Sequence, residues 1–395
     1  MKIKNISELG DDLLNRVVLL RVDFNIPVIG GKISDYTRIT SSLRSINYLK
    51  ERGAKIVLIS HFGRPAGKTD PALSLAFLVP ELTRILKHNV KFSYHHVGHE
   101  PKKIIESMKA GDILLLENIR FNKNEEINNK KFAADLASLG DIYINEAFSC
   151  SHRAHASIVG IPSYLPSYAG FLFFDEISNL NLVMNDDKKS SIAIIGGKKI
   201  STKLDVLGNL SQKVSKLAIV GAMVNTFLKA KGCNIGDSFY EDDLLIKAKN
   251  ILSNSKAEII LPKDFVCTNS EDKIDWKLET IENLKAGDKI FDIGAESVFS
   301  ICQAIDTSDV VLWNGPLGVF EDIRFSFATN AIARFISSKT QSGSLKSIAG
   351  GGDTVSAINN ANLTNYFSYI STAGGAFLEW LEGKKLIGLY ALSRE

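Results

Sequence analysis

Residues 17–27 read VVLLRVDFNIP: an apolar run interrupted only by Arg21, then a polar turn closed by Pro27. Continuous rather than alternating hydrophobicity predicts a strand covered on both faces, as in a parallel sheet. The same kind of run recurs at Lys55 to Ser60, Asp112 to Glu117, Asp141 to Asn145, Ile192 to Gly196, Leu217 to Gly221, Glu258 to Leu261, Lys289 to Ile293 and Val310 to Trp313, each followed by a helical pattern. Strand and helix in alternation predict an α/β fold with mainly parallel sheets covered on both faces. With 395 residues the chain is too long for one ordinary core, so two doubly wound, three-layer Rossmann-like domains are expected. From about Ile161 the pattern changes to a stretch containing Pro and Tyr, then an apolar helical segment, then the polar run Asn185 to Ser191. The expected division is therefore 1–170 and 171–395, with a hinge between and the last residues packing back on the first domain.

Composition excludes several classes. The apolar runs are strand-sized, far short of the roughly 20 residues needed to cross a bilayer. Asn5, Ser7 and Glu8 occupy the place where a secretory signal would need an apolar stretch. Cys150, Cys233, Cys267 and Cys302 lie tens of residues apart with no CxxC pair, which argues against a zinc site or a disulfide framework. A cytoplasmic protein is expected. A net charge of +3 without basic runs interleaved with aromatics gives no footprint for nucleic acid. The distribution of charge is more telling, because nine of the twelve arginines fall at or before Arg153 while lysine is spread throughout. Arginine grips phosphate and carboxylate bidentately, so the first domain is expected to hold an anion.

In open parallel sheets ligands bind beyond the carboxyl ends of the strands. After the first run, Arg21, Asp23 and Asn25 alternate along an extended segment and so share one face. The second run ends in SHFGRP (60–65), the third in LLLENIRF (114–121), and the fourth leads into SHRAHAS (151–157), with Arg38 a further cation after Asp35. Any one strand-end arginine is ordinarily a surface ion pair. Arginines and histidines at four strand ends of one sheet instead describe a cup for a small, multiply anionic substrate.

RVDFN, SHFGRP, LLLENIRF and SHRAHAS, in this order and at these intervals, resemble the 3-phosphoglycerate site of the phosphoglycerate kinase family. The resemblance implies that Asp23, Asn25, His61, Arg64, Arg120 and Arg153 bind the acid, with Arg21, Phe24, Phe62 and Gly63 in the same segments. It further implies that Arg38 reaches the transferring phosphoryl group. The chain departs from the family where Glu146, Ser149 and Cys150 replace a usual Asp, Gly and small residue, which is expected to reshape that loop.

The second half carries glycines at strand ends. Gly196 and Gly197 open a segment in which Lys199 and Lys203 lie one helical turn apart, suited to a single polyphosphate. Gly350, Gly351 and Gly352 precede Asp353 and Thr354 at a helix start, offering N–H groups to phosphate, a hydroxyl, and a carboxylate for Mg²⁺. A plain turn needs one or two glycines, and an N-cap needs only one of Asp or Thr. WNGPLGVFE (313–321) follows another strand. These stretches, with Gly221 and Ala222, resemble the family's ADP/ATP site. By resemblance Gly197, Lys203, Asn314 and Gly351 to Thr354 contact the nucleotide, Glu321 holds the ribose, Asp353 holds the metal, and Arg38, Lys199 and Gly352 lie nearest the moving phosphoryl. Ala222, Ala295 and Ala373 stand where the family usually has Gly, Pro and Gly.

Two tempting motifs fail. GRPAGKT (63–69) is one residue short of a P-loop, and Pro65 and Pro71 would disturb a following helix. His95, His96 and His99 lack a matching second ligand set for a metal. No GxGxxG is present, so a dinucleotide is not supported.

The expected reaction is reversible, Mg²⁺-dependent phosphoryl transfer between 1,3-bisphosphoglycerate and ADP, by a monomer acting on small molecules and closing about its hinge. Two rivals remain open at this stage. Another carboxylate kinase would explain the nucleotide site but not the Arg and His set. A two-domain binding protein would leave Lys199, Asp353 and Thr354 without a task.

Overall fold

The computed structural model describes residues 3–10, 13–184, 190–270 and 272–393. The chain forms two compact units, Met1–Ile177 with Lys385–Glu395, and Ser178–Lys384. The division falls inside the helix Phe171–Met184 rather than at its start. Most of the polar run expected at the boundary, residues 185–189, lies outside the described residues.

In the first unit the opening run forms β1 (Val17–Arg21), followed by a small antiparallel hairpin of β2 (Val28–Ile29) and β3 (Lys32–Ile33). The remaining strands are β4 (Lys55–Ile59), β5 (Val90–Ser93), β6 (Ile113–Leu116), β7 (Ile142–Asn145) and β8 (Ser167–Ala169). All but the hairpin belong to one six-stranded parallel sheet of order β5-β6-β4-β1-β7-β8. Residues 18–21 of β1 are buried, as are 56–59 of β4 and all of β6 and β7, which is why those runs read as unbroken apolar stretches. From β1 the chain builds outward through β4 and β5, then crosses to the other side at β7, so the order reverses between β1 and β7. That switch point is where an open α/β sheet leaves a crevice for a ligand. The C-terminal helix Ile387–Leu392 packs into this unit, with the Gly388 N–H donated to the Ser151 carbonyl at 2.8 Å.

The second unit contains β9 (Ser191–Ile195), β10 (Lys216–Ile219), β11 (Glu258–Ile260), β12 (Asp264–Thr268), β13 (Trp276–Thr280), β14 (Lys289–Ile293), β15 (Val310–Asn314), β16 (Lys346–Gly350) and β17 (Tyr369–Ser371). Six of these form a second parallel sheet of order β11-β10-β9-β15-β16-β17, whose reversal lies between β9 and β15. One expectation is corrected here. Lys289–Ile293 is not in the parallel sheet but in a three-stranded antiparallel one of order β13-β12-β14. The physical reason is burial: residues 289–291 are exposed or half-buried, unlike a strand covered on both faces, and the strand pairs antiparallel with β12 instead.

Candidate active site

At the switch point of the first sheet, Arg21 ends β1, paired in register with Ile59 and Asn145. Arg21 is 1% exposed, and its guanidinium donates from Nε to the Ser157 hydroxyl at 3.0 Å and from Nη2 to His61 Nδ1 at 3.2 Å. Arg38, the second residue of the helix Thr37–Glu51, donates from Nη1 to Asp23 Oδ2 at 2.9 Å and to the Asn25 carbonyl at 2.8 Å. Asn25 accepts the Gly63 N–H at 2.9 Å, and Gly63 returns a carbonyl to Arg120 Nη1 at 2.7 Å. Gly63 has φ +61°, in the left-handed region that favours glycine. Arg153 donates to the neighbouring His152 Nε2 at 3.0 Å, and its charge acts on His61, Arg120 and His155. The structure therefore brings Arg21, Asp23, Asn25, Arg38, His61, Arg120 and Arg153 to one edge.

Electrostatics follow from this crowding. Burial, reinforced by Arg21, Arg120 and Arg153, holds His61 well below the usual imidazole range, and Asp23 only partly opposes it. His61 is thus neutral at pH 7. His155 falls to about 3, first by burial and then by Arg120, Arg21 and Arg153. Burial raises the Asp23 carboxyl, but His61, Arg38 and the Ser149 hydroxyl outweigh it, so the group lies below its ordinary value. The cup carries excess positive charge, the right complement for an acid bearing a phosphate.

Three expected binding residues stand apart. The Phe24 side chain is fully buried in the core with Val22 and Ile26, and its N–H goes to the Ser60 hydroxyl at 2.9 Å. Alternation along the segment puts 21, 23 and 25 on the cup side and 22, 24 and 26 on the core side. Phe62 packs against Phe77 with the rings tilted by 54° and lines an apolar cavity with Leu73 and Phe121. Arg64 is exposed, without a hydrogen-bond or ion-pair partner among the described residues.

Four residues missed from sequence complete the cup. Ser149 donates to Asp23 Oδ2 at 2.5 Å, and Cys150 Sγ lies 3.8 Å from Arg21 Nη2. Ser157 and the buried Glu125 back Arg21. The only signal for Ser149 and Cys150 was their departure from the family pattern. Asp23, His61 and Cys150 place potential metal-ligand atoms within 4.8 Å of one another, but the Arg21 guanidinium bonds to both His61 and Cys150 there. A divalent cation would face that fixed charge, so the cluster is suited to anions. Glu146, the other departure, is buried beneath the loop and accepts from the Ser45 hydroxyl and from the Leu172 and Phe173 N–H groups at 3.2 and 3.3 Å.

In the second unit the loops after β9, β10 and β15 meet through their backbones, and side chains tie the loop after β16 to them. A side chain on Gly221 (φ +69°) would come within 2.7 Å of the Gly197 nitrogen, and one on Gly315 (φ +101°) would run into the Gly196 carbonyl. Asn314, buried at the end of β15, donates from Nδ2 to the Gly350 carbonyl at 2.6 Å and accepts from Lys203 Nζ. Burial lowers the Lys203 ammonium to about 8, with Asp353 and Glu382 pulling the other way. The Thr354 hydroxyl is buried and accepts the Gly315 N–H at 2.7 Å, so it braces two loops rather than facing outward as expected. Gly351 (φ +95°) leads into the helix Gly352–Asn360, whose first turn exposes Gly352 and Asp353. Lys199 is exposed, Gly197 and Ala222 are half-buried, and Glu321 is exposed in the turn beyond Gly318. Several close backbone approaches and a helix N-terminus at a switch point make a cradle for phosphates.

The sequence model for "Phosphoglycerate kinase" matches residues 6–384. The chain belongs to that family. The phosphoglycerate kinase of Orientia tsutsugamushi (strain Ikeda) is 46% identical, covering 99% of this chain and 98% of that protein. That of Caulobacter vibrioides (strain NA1000 / CB15N) is 44% identical over 96% of this chain and 97% of its own. The structure of phosphoglycerate kinase from Coxiella burnetii superposes with a TM-score of 0.91 at 35% identity, covering 99% of each chain. The Pyrococcus horikoshii OT3 enzyme gives 0.81 at 26% identity, over 99% of this chain and 98% of that one. The chain is accordingly a phosphotransferase of glycolysis, acting between 1,3-bisphosphoglycerate and ADP. No helix among the described residues is long and apolar enough to cross a membrane.

Proposed function

We propose that the acid binds in the cup formed by Arg21, Asp23, Asn25, His61, Arg120 and Arg153, and the nucleotide in the cradle formed by Gly197, Lys203, Gly221, Ala222, Asn314 and Gly351 to Thr354. The observation that carries this reading is the placement of each set at the switch point of its own parallel sheet. Glu321 is offered to the ribose. Arg38 and Lys199 supply charge to the equatorial oxygens of the transferring group, and the helix start at Gly352 adds N–H donors. Phosphoryl transfer asks for in-line placement and charge neutralisation and needs no nucleophilic side chain.

The exposed Asp353 has no hydrogen-bond or ion-pair partner among the described residues, and sits in the first turn of its helix beside the phosphate cradle. That suits a carboxylate sharing Mg²⁺ with nucleotide oxygens and waters. The ion, when bound, neutralises charge on the phosphates. In-line transfer also requires the two bound substrates to be brought together, so closure about the hinge is part of the proposal. Scattering profiles that change only when both ligands are present would support it. The protein is further proposed to act as a cytoplasmic monomer.

The direct test is turnover of 3-phosphoglycerate with ATP, with and without Mg²⁺, against acetate and aspartate as alternative acceptors. Rapid Mg²⁺-dependent turnover of 3-phosphoglycerate alone is expected. Absence of turnover in every condition would sink the assignment, and turnover of acetate would relocate it to another carboxylate kinase.

A further inference from the structure

The buried Arg21 charge lacks a direct carboxylate partner in its hydrogen bonds, which go to the Ser157 hydroxyl, the Val22 carbonyl, His61 Nδ1 and the Cys150 sulfur. A cation out of water needs a counter-charge. The carboxyl that reaches it through a hydroxyl belongs to Glu125, which burial raises above its ordinary value while Arg21 and the Ser157 hydrogen bonds pull it back down. Ser157 Oγ accepts from Arg21 Nε at 3.0 Å and donates its own hydrogen bond to Glu125 Oε1 at 2.5 Å, while the Ser157 N–H donates to Glu125 Oε2 at 2.9 Å. Glu125 is wholly buried, and the Tyr143 hydroxyl fixes the Ser157 carbonyl at 2.6 Å. The carboxylate and the serine therefore hold one edge of the guanidinium in a single orientation.

The other edge determines the state of His61. A guanidinium has donors only, so the 3.2 Å contact between Arg21 Nη2 and His61 Nδ1 requires Nδ1 to carry the lone pair. A neutral imidazole then has its proton on Nε2. We propose that Glu125 and Ser157 are positioning residues which, through Arg21, hold His61 as the neutral Nε2–H tautomer and so make it a hydrogen-bond donor in the acid cup. Burial and the surrounding arginines, which disfavour the imidazolium, act in the same direction. The arrangement adds a donor to the cup without adding a further positive charge to Arg21, Arg38, Arg120 and Arg153. This inference rests on the reading that the acid binds beside His61.

The test is nitrogen-15 NMR of histidine-labelled, ligand-free protein at pH 7, combined with steady-state kinetics. In the unaltered protein, His61 should show an unprotonated Nδ1 and a protonated Nε2. Ser157→Ala should shift that signature toward a mixture of tautomers and raise KM for 3-phosphoglycerate about 10- to 100-fold, the scale of a lost hydrogen bond to a charged group. KM for ATP should stay unchanged, and kcat should fall far less than the affinity. Glu125→Gln should act in the same direction, and Ser157→Thr, which keeps the hydroxyl and guards against a simple folding defect, should restore both readouts. A protonated Nδ1 in the unaltered protein, or a signature untouched by Ser157→Ala in a folded variant, would overturn the relay. Because the tautomer is read without substrate, this failure is distinct from failure of the acid assignment, which would show as no 3-phosphoglycerate turnover by the unaltered protein.

Discussion

At the switch point of the first sheet the groups proposed to meet an anion are side chains taken out of water, among them Arg21 at 1% and Arg120 at 3% exposure, each held by named hydrogen bonds. At the switch point of the second, the close approaches are between backbones, at Gly196, Gly221 and Gly315, and the charges of Lys199 and Asp353 project into solvent. The acid carries its recognition in a few atoms, so fixed charges around it give specificity before binding. The nucleotide proposed for the second site has extended phosphates and is proposed to arrive with a metal, so N–H groups and free side chains suffice. Single substitutions should accordingly act differently in the two places.

The largest effect is expected where a cup residue also serves the reaction. Arg38 is held by Asp23 and Asn25 yet its side chain is 32% exposed, so it is both oriented and reachable. Arg38→Ala should lower kcat about a thousandfold, the scale of an arginine that neutralises transferring phosphoryl charge, with a far smaller change in affinity. A raised KM with kcat unchanged would reduce Arg38 to a binding residue.

Next comes the backbone of the cradle. Gly315→Ala puts a side chain at φ +101° and into the Gly196 carbonyl. A loss of about 1–3 kcal/mol in a denaturant melt is expected from the strain, with KM for ATP raised and KM for 3-phosphoglycerate unchanged. If both KM values rose together, the two units would not be separable in the way their construction implies.

Legibility in the sequence follows the same contrast. Buried parallel strands announce themselves, because both faces must be apolar, and β1, β4, β6, β7, β9 and β15 coincide closely with the runs that predicted them. Three of the four edge strands do not: β5 (VKFS), β8 (SYA) and β17 (YIS) are short and partly exposed, and the central β16 (KSIAG) is likewise unmarked because Lys346 and Ser347 leave too short an apolar run. The antiparallel sheet was hidden because Lys289–Ile293 carries the same local pattern as a parallel strand, and only its partners distinguish it. In the cup, alternation identified the shared face of Arg21, Asp23 and Asn25, and the same rule assigns Phe24 to the core. Glu125 and Ser157 were illegible because their bond spans 32 residues and the link to Arg21 spans 136. No local pattern encodes such a pairing.

A smaller effect is expected at the metal. Asp353 is exposed and braces nothing, so Asp353→Asn should leave the melting temperature unchanged while raising the Mg²⁺ concentration needed for half-maximal turnover about tenfold or more. An unchanged Mg²⁺ titration would remove Asp353 from the metal site.

The smallest effect tests a feature the two units share despite their contrast. Each has a buried carboxyl accepting N–H groups at the start of a helix: Glu146 beneath Phe171–Met184, and Asp292 at Phe327–Gln341, where it accepts the Ala328 N–H at 3.1 Å. Burial pushes both up to about 7, against the pull of Ser45 and the Leu172 and Phe173 N–H groups on Glu146, with Asp175 adding to the rise, and of the Ala328 and Ile293 N–H groups on Asp292. Between the unfolded value near 4.5 and about 7, the folded protein keeps the Glu146 proton that the unfolded chain has released. The folded state thus binds more protons, and stability from this group is complete below the unfolded value and declines as pH rises through the folded one. The slope for a single group cannot exceed about 1.4 kcal/mol per pH unit. Glu146→Gln, neutral at every pH, should remove that part of the decline from denaturant melts taken between pH 5 and 7, and Asp292→Asn should remove a second part of the same sign. If neither variant flattened the profile, the carboxyls would be ionised in the folded protein, with their helix N–H groups outweighing burial.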